Sequence, residues 1–150
     1  MKLAEALQER ADLNQRIAGL KSRLINNALV QEGEQPNEDP KELMNELNSC
    51  IEQLEKLIAR INLTNCETKI NGESLTVLLA RKDTLTLRLS AYRDLANAAG
   101  QNSRRATKSE IKLLTTVNVR ALQREADSMA KALRELDNSI QAANWSTELK

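Results

Sequence analysis

The side chain that most often moves protons in enzyme active sites is missing from this sequence: its 150 residues include no histidine. A Ser-His-Asp arrangement, a histidine general base and a histidine metal ligand are therefore excluded. Di-iron helical bundles need Glu-x-x-His on two helices and are excluded for the same reason. The sequence also has no glycine-rich phosphate loop. We predict no catalytic residue, no cofactor, no metal site and no enzymatic activity.

Carboxylates and thiols remain as groups that could do chemistry. Residues 32–39 are acidic, but the spacing of their carboxylates does not match a calcium loop, and we interpret them as a linker. Cys50 lies on an apolar helical face, where a cysteine acts as a small hydrophobic side chain. Cys66 has no neighbouring cluster of cations that would activate a thiolate. Two cysteines without CxxC spacing predict reduced thiols.

A basic segment is the candidate contact loop of the chain, and it comprises Arg104, Arg105, Lys108 and Lys112. It can contact phosphates, but no aromatic side chain interleaves to stack on bases. With 22 basic and 21 acidic residues, the whole chain offers no field that would attract nucleic acid or an anionic membrane. The segment is otherwise a solvated loop, or one that pairs with acidic residues of a neighbouring subunit. If the chain were an enzyme, residues 81–83 and 104–110 would be the first places to examine.

The elements that position these groups are helices. Apolar residues recur at alternating steps of three and four along one continuous seam, which is typical of a helix that packs against other helices. Its members are Val119, Leu122, Ala126, Met129, Leu133, Leu136, Ile140 and Ala143. Aromatic residues are almost absent, while helix-forming residues dominate, so a β-sandwich or barrel is disfavoured.

Four such helices are predicted. The first helix covers residues 3–30. The second helix starts at Asp39 as N-cap, with Pro40 in the first turn, and ends near residue 63. It carries two apolar stripes, which suggest that it contacts two neighbouring helices. Residues 64–73 are irregular, with a turn at Asn71-Gly72. The third helix runs from a Ser74 cap to residue 99, and the fourth starts after a cap at Asn118. Residues 110–117 are either helical or extended, and if extended they could pair with residues 64–71.

Two cations interrupt otherwise apolar seams, Arg10 in the first helix and Lys82 in the third. A buried charge there can specify the register of the helices or the choice of partner. We favour the other interpretation, in which the long stem packs at the edge of the seam and the charged head reaches water.

The predicted fold is all-α: an elongated antiparallel helical bundle, or coiled-coil hairpins, of about four long helices in a single domain covering residues 1–150. A thin hairpin buries little within one chain, so we expect self-association. The charged first turns do not resemble a secretory signal, and no stretch approaches the length of a membrane span. Together with the reduced cysteines, this predicts a cytoplasmic protein.

Several runs in the sequence resemble the septicolysin-like family of small bacterial proteins. They are Asn71-Gly-Glu-Ser-Leu-Thr-Val-Leu-Leu-Ala-Arg-Lys-Asp83, Lys108-Ser-Glu-Ile-Lys112, Glu135-Leu-Asp137 and Ile140-Gln-Ala-Ala-Asn-Trp145. The resemblance implies an all-helical, oligomeric, cytoplasmic bacterial protein of unknown role. The family name implies a pore-forming haemolysin, but the sequence has no apolar hairpin or aromatic-rich tip that would insert into a membrane.

The sequence thus does not define a function, and it favours a non-enzymatic helical protein that forms homo-oligomers or binds another helical protein. A membrane-active, toxin-like protein is the alternative. A nucleic-acid-associated helical protein is the second alternative, through the segment from Arg104 to Lys112.

Overall fold

The computed structural model describes residues 1–101 and 111–150, and these residues form four long helices and a short two-stranded ribbon. The elements are α1 (Leu3–Asn26), α2 (Pro40–Glu67), β1 (Lys69–Ile70), β2 (Glu73–Ser74), α3 (Leu75–Gly100) and α4 (Val119–Ser146). The prediction of an all-α helical protein is confirmed. The residues group into two compact units, Met1–Lys69 with Ala143–Lys150, and Ile70–Ala142.

In the first unit α1 and α2 form an antiparallel pair. Arg16 of α1 binds Glu46 of α2 at 2.6 Å, and Arg23, further along α1, binds Glu38, which lies just before the start of α2, so the two helices run in opposite directions. Both helices bury a residue at every seventh position, which is the spacing of a coiled-coil seam. The buried series are Ala6, Leu13 and Leu20 in α1, and Leu43, Cys50, Leu57 and Thr64 in α2.

Helix α1 ends at Asn26, four residues before the predicted end, because the following loop folds back onto it. The Asn27 side chain donates to the carbonyl of Arg23 at 2.9 Å and accepts from the backbone N–H of Glu38 at 3.1 Å. An asparagine that bonds both the helix end and the returning chain competes with further helical turns. The prediction of a helix to residue 30 is therefore wrong.

Helix α2 begins as predicted and ends later than predicted. Asp39 accepts a hydrogen bond from the Lys41 backbone at 2.9 Å, and Pro40 occupies the first turn. At the other end the helix continues through Thr64 to Glu67 instead of stopping near residue 63. Thr64 is fully buried, and its hydroxyl donates to the carbonyl of Arg60 at 2.8 Å. Because this core position is occupied by a polar residue, the apolar periodicity of the sequence stops before the helix does.

The last residues of the chain close the first unit. The backbone N–H of Leu3 donates to Thr147 at 2.9 Å and that of Leu149 to Met1 at 2.8 Å, around an antiparallel bridge between Lys2 and Glu148. Leu149 is buried, and the next residue, Lys150, donates its backbone N–H to the Thr64 hydroxyl at 3.1 Å. Apolar burial and backbone hydrogen bonds thus fix this tail together.

The short ribbon pairs β1 with β2 around Asn71 and Gly72, which both have positive φ (51° and 89°). Positive φ is favourable for glycine and tolerated by asparagine, so the turn residues suit the turn. Residues 110–117 could pair with residues 64–71 only if they were extended, and the residues of this segment that the structure describes do not form that pairing. Residues 69–70 use the adjacent strand instead, and residues 111–117 form neither strand nor helix.

In the second unit α3 and most of α4 lie antiparallel. Lys82 pairs with Asp137, while Ala96 and Ala126 line one cleft further along, so the two helices run in opposite directions. Both predicted caps are present: the Val77 N–H lies 3.4 Å from the Ser74 hydroxyl, and the Ala121 N–H 3.0 Å from the side-chain oxygen of Asn118. These side chains satisfy backbone donors at the helix starts.

Candidate functional site

Of the predicted contact loop, the structure describes only Lys112, which is exposed. Arg104, Arg105 and Lys108 lie outside the described residues. The apolar neighbours of Lys112 are exposed as well, namely Ile111, Leu113 and Leu114. In the described part of the loop, a basic residue therefore lies among accessible aliphatic side chains.

The acidic linker divides into structural and exposed carboxylates. Glu38 receives a forked pair of hydrogen bonds from the Arg23 guanidinium, which lowers the pKa of the Glu38 carboxyl below its ordinary value of 4.5. Asp39 caps α2, whereas Glu32 and Glu34 are exposed. Within residues 1–101 and 111–150, no three His, Cys, Asp or Glu side chains lie close enough together to hold a metal ion.

The two cysteines occupy different surroundings on α2. Cys50 is buried in the α1–α2 seam, in agreement with its predicted apolar role. Cys66 is exposed and lies in the last turn of the helix, so its predicted place in an irregular loop is wrong. Neither cysteine forms a disulfide.

The first place to look for enzymatic groups, residues 81–83, contains a structural ion pair. Arg81 donates two hydrogen bonds to Glu73, at 2.9 and 2.6 Å, and thereby ties α3 to the ribbon strand before it. These bonds lower the pKa of the Glu73 carboxyl. The guanidinium of Arg81 is thus engaged in holding the start of α3.

Lys82 interrupts an apolar seam because it has an acidic partner on α4. Its ammonium lies 2.5 Å from Asp137, and both side chains are about one-third exposed. This hydrogen bond, with the attraction of the two charges, lowers the pKa of Asp137 below its ordinary value of 3.8. Arg10, the other cation in a seam, is half-buried in α1.

We expect the Lys82→Met substitution to raise the pKa of Asp137 toward 3.8, because it removes the main donor to that carboxylate. The stabilisation from the pair is complete above the unfolded value and is lost as the pH falls through the lowered folded value. Carboxyl NMR titration of Asp137 measures the shift. Lys131→Met, which removes an exposed cation 3.9 Å from Glu135, is the control. An Asp137 pKa that is equal in the wild type and Lys82→Met would contradict the pairing.

An apolar row of accessible side chains runs along the outside of α2. Met44, Ile51 and Ile58 are 47%, 45% and 38% exposed and recur every seven residues. Leu47 and Leu54 lie between this row and the α1–α2 seam and are half-buried. We call these five residues the outer stripe. It corresponds to the second apolar stripe of the predicted second helix, and the described chain leaves its centre open.

Comparison with known proteins identifies the family of this chain. The family model described as a family of unknown function, DUF6847, matches residues 10–149. The chain belongs to the DUF6847 family. A functionally unknown conserved protein from Corynebacterium diphtheriae, known from a crystal structure, has 39% identity to this chain and a TM-score of 0.94. That alignment covers 100% of this chain and 99% of the other. No curated protein matches.

Two further observations describe this member of the DUF6847 family. In the part of the chain that the structure covers, none of the helices combines the length and apolar character needed to cross a bilayer. Trp145 is 64% exposed and lines an open cleft with Met1, Ala4 and a row of polar residues on α1. No periodic signal in the sequence indicates this exposure of Trp145.

Proposed function

We propose that this DUF6847 protein is a non-enzymatic helical protein that works through protein contacts, by forming homo-oligomers or by binding another helical protein. The outer stripe of α2 carries the proposal. A continuous row of large aliphatic side chains on one helix face, left open to solvent, is typical of a surface that another helix covers. The absence of histidine from the sequence supports a role without acid–base catalysis.

The spacing of the outer stripe favours a helix as the covering element. Residues seven apart lie almost directly above one another on a helix, so Met44, Ile51 and Ile58 form a straight ridge. Full burial of one such side chain is worth about 1.5–3 kcal/mol, and these three are already partly buried. A partner helix would therefore gain stabilisation from several contacts without any charged group having to be desolvated at the centre.

We expect Ile51→Glu to abolish association of the chain, because it places a carboxylate at the centre of the outer stripe. Light scattering on a size-exclusion column, from low to high micromolar protein, measures the mass. The control is Leu87→Glu, which changes an exposed leucine of α3 in the same way. The two variants should differ in mass at the highest concentration.

Failure of the proposal is defined by two results together. One is a wild-type chain that is monomeric at every concentration. The other is the absence of any bound helical protein whose capture is lost in Ile51→Glu and kept in Leu87→Glu. A mass that falls equally in both variants would also contradict a role for the outer stripe.

Membrane activity is the alternative function, and one observation favours it. Ile111, Leu113 and Leu114 are exposed beside Lys112, which is a combination that can meet an anionic lipid surface. Leakage of dye from liposomes of anionic composition would support this function. No leakage over a range of lipid compositions would exclude it.

The proposal also includes the localisation of the protein and its family resemblance. We place the chain in the cytoplasm, on the grounds that neither cysteine forms a disulfide, and we retain its resemblance to the septicolysin-like family. A nucleic-acid role through Arg104, Arg105, Lys108 and Lys112 is the second alternative. It predicts binding that strengthens steeply as salt is lowered.

A further inference from the structure

We infer that the partner of the outer stripe is a second copy of this chain, docked antiparallel along α2 with Ile51 on the two-fold axis. The inference rests on the proposed function and makes it specific, since it names the partner, its direction and the residue at the centre. Closed two-fold dimers are the commonest protein assemblies, and they require a surface that is complementary to itself.

The outer stripe is nearly the same when read in either direction from Ile51. Its other members lie seven and four residues before Ile51 and three and seven residues after it. When a second helix is laid antiparallel, Ile51 meets Ile51, and Met44 of each copy meets Ile58 of the other. The three most accessible members of the outer stripe are thereby covered by apolar side chains in one arrangement.

The flank of the outer stripe also distinguishes antiparallel from parallel docking. Four exposed residues run beside the stripe on the side away from α1: Lys41, Asn48, Glu55 and Asn62. In the antiparallel arrangement Asn48 lies opposite Glu55, and Lys41 lies opposite Asn62, so each charge faces an amide that can hydrogen-bond to it. In a parallel two-fold arrangement this row would lie on opposite sides of the two helices, so its residues would not meet across the interface and neither pairing could form.

The length of the outer stripe indicates how tight the dimer is. From Met44 to Ile58 the helix rises about 21 Å, at 1.5 Å for each of 14 steps. One ridge of that length is at the small end of protein interfaces, which is the range of weak, reversible association. We therefore expect a dissociation constant of about 1–100 μM, which corresponds to roughly 5–8 kcal/mol. The dimer should form within the concentration range of the light-scattering experiment.

Cysteine cross-linking tests the geometry directly. In a Cys66→Ser background, which removes the exposed thiol, Ile51→Cys should form a disulfide-linked dimer on mild oxidation, because the two positions meet on the axis. Met44→Cys alone should not, because antiparallel docking separates the two copies of that position by about 21 Å, and a disulfide needs Cα atoms within about 7 Å. Met44→Cys mixed with Ile58→Cys should give a heterodimer.

The control is Leu63→Cys in the same background, an exposed position on α2 outside the outer stripe. We expect the Ile51→Cys dimer to exceed the Leu63→Cys dimer by at least about tenfold, because only the first pair lies within disulfide reach. Self-cross-linking of Met44→Cys and of Ile58→Cys, without the mixed product, would establish parallel docking and overturn the inference while leaving the proposed function intact. A wild-type dimer with no cross-link at any stripe position would also overturn the inference alone. A monomeric chain that fails the light-scattering and capture tests would overturn both.

Discussion

The Leu20→Ala variant should unfold with a free energy about 2–5 kcal/mol below that of the wild type, the range seen for large-to-small changes in protein cores. Leu20 is 1% exposed, and it follows Ala6 and Leu13 in the seven-residue series that α1 contributes to its seam with α2. The substitution removes three carbon atoms where the neighbours are held on two helices, so collapse around the cavity is limited. Urea unfolding followed by circular dichroism measures the loss.

Leu29→Ala provides the matched comparison, because the same atoms are removed from a side chain that is 90% exposed. Exposed substitutions of this kind change stability by about 0.5 kcal/mol or less. A Leu20→Ala variant as stable as Leu29→Ala would mean that the α1–α2 seam is not the core of the first unit.

The second large effect is expected on deleting the last four residues, Thr147 to Lys150. The deletion should lower the free energy of unfolding by about 3–5 kcal/mol, since it removes the burial of Leu149 and two backbone hydrogen bonds to the start of the chain. It also leaves the buried Thr64 hydroxyl without its donor from the tail. Urea unfolding of the truncated chain measures the loss.

Two point variants identify the cause of that loss. Leu149→Ala should reproduce a large part of it, because the side chain is buried. Glu148→Gln should have little effect, although the carboxylate pairs with Lys2 and the terminal ammonium, because these ion pairs are exposed to solvent. If Glu148→Gln were the more damaging variant, charge pairing and not apolar burial would hold the tail.

Helix starts were predictable because they depend on neighbouring residues in the sequence. Asp39 with Pro40, Ser74 and Asn118 each mark a start that the structure confirms. A cap bonds to backbone groups two or three residues away, so the information lies within one turn. Leu85, Leu87 and Leu89 alternate as residues of a strand do over those few positions, but they lie inside α3 and the longer three-four period indicates the helix.

Helix ends were harder to predict because they depend on residues distant in the sequence. Helix α1 stops where Asn27 bonds to Glu38 from the returning chain, and α2 continues because Thr64 finds partners at Arg60 and in the tail. Neither partner is visible in a local hydrophobic pattern. A hydrophobic pattern assigns a polar residue in a core position to a loop, because the pattern does not show the hydrogen bonds that allow the residue to be buried.

The candidate surface was predictable in composition but not in exposure. The sequence showed two apolar stripes on the second helix, yet only the structure shows that the series from Leu43 to Thr64 is buried while Met44, Ile51 and Ile58 are left open. Periodicity identifies a face that can be buried, and it does not identify what buries it. The exposed Trp145 had no periodic signal at all.

The contact between the two ends of the chain has a consequence for biosynthesis. Helices α1 and α2 leave the ribosome early, but Leu149, which packs with the same unit, follows Glu67 by 82 residues. At synthesis rates of about 5–20 residues per second, the gap lasts roughly 4–16 s. During that interval the Thr64 hydroxyl and the start of α1 lack the hydrogen bonds that the tail later makes with them. The protein therefore passes through a stage in which chaperones can bind it, and this stage ends only when Leu149 has left the ribosome.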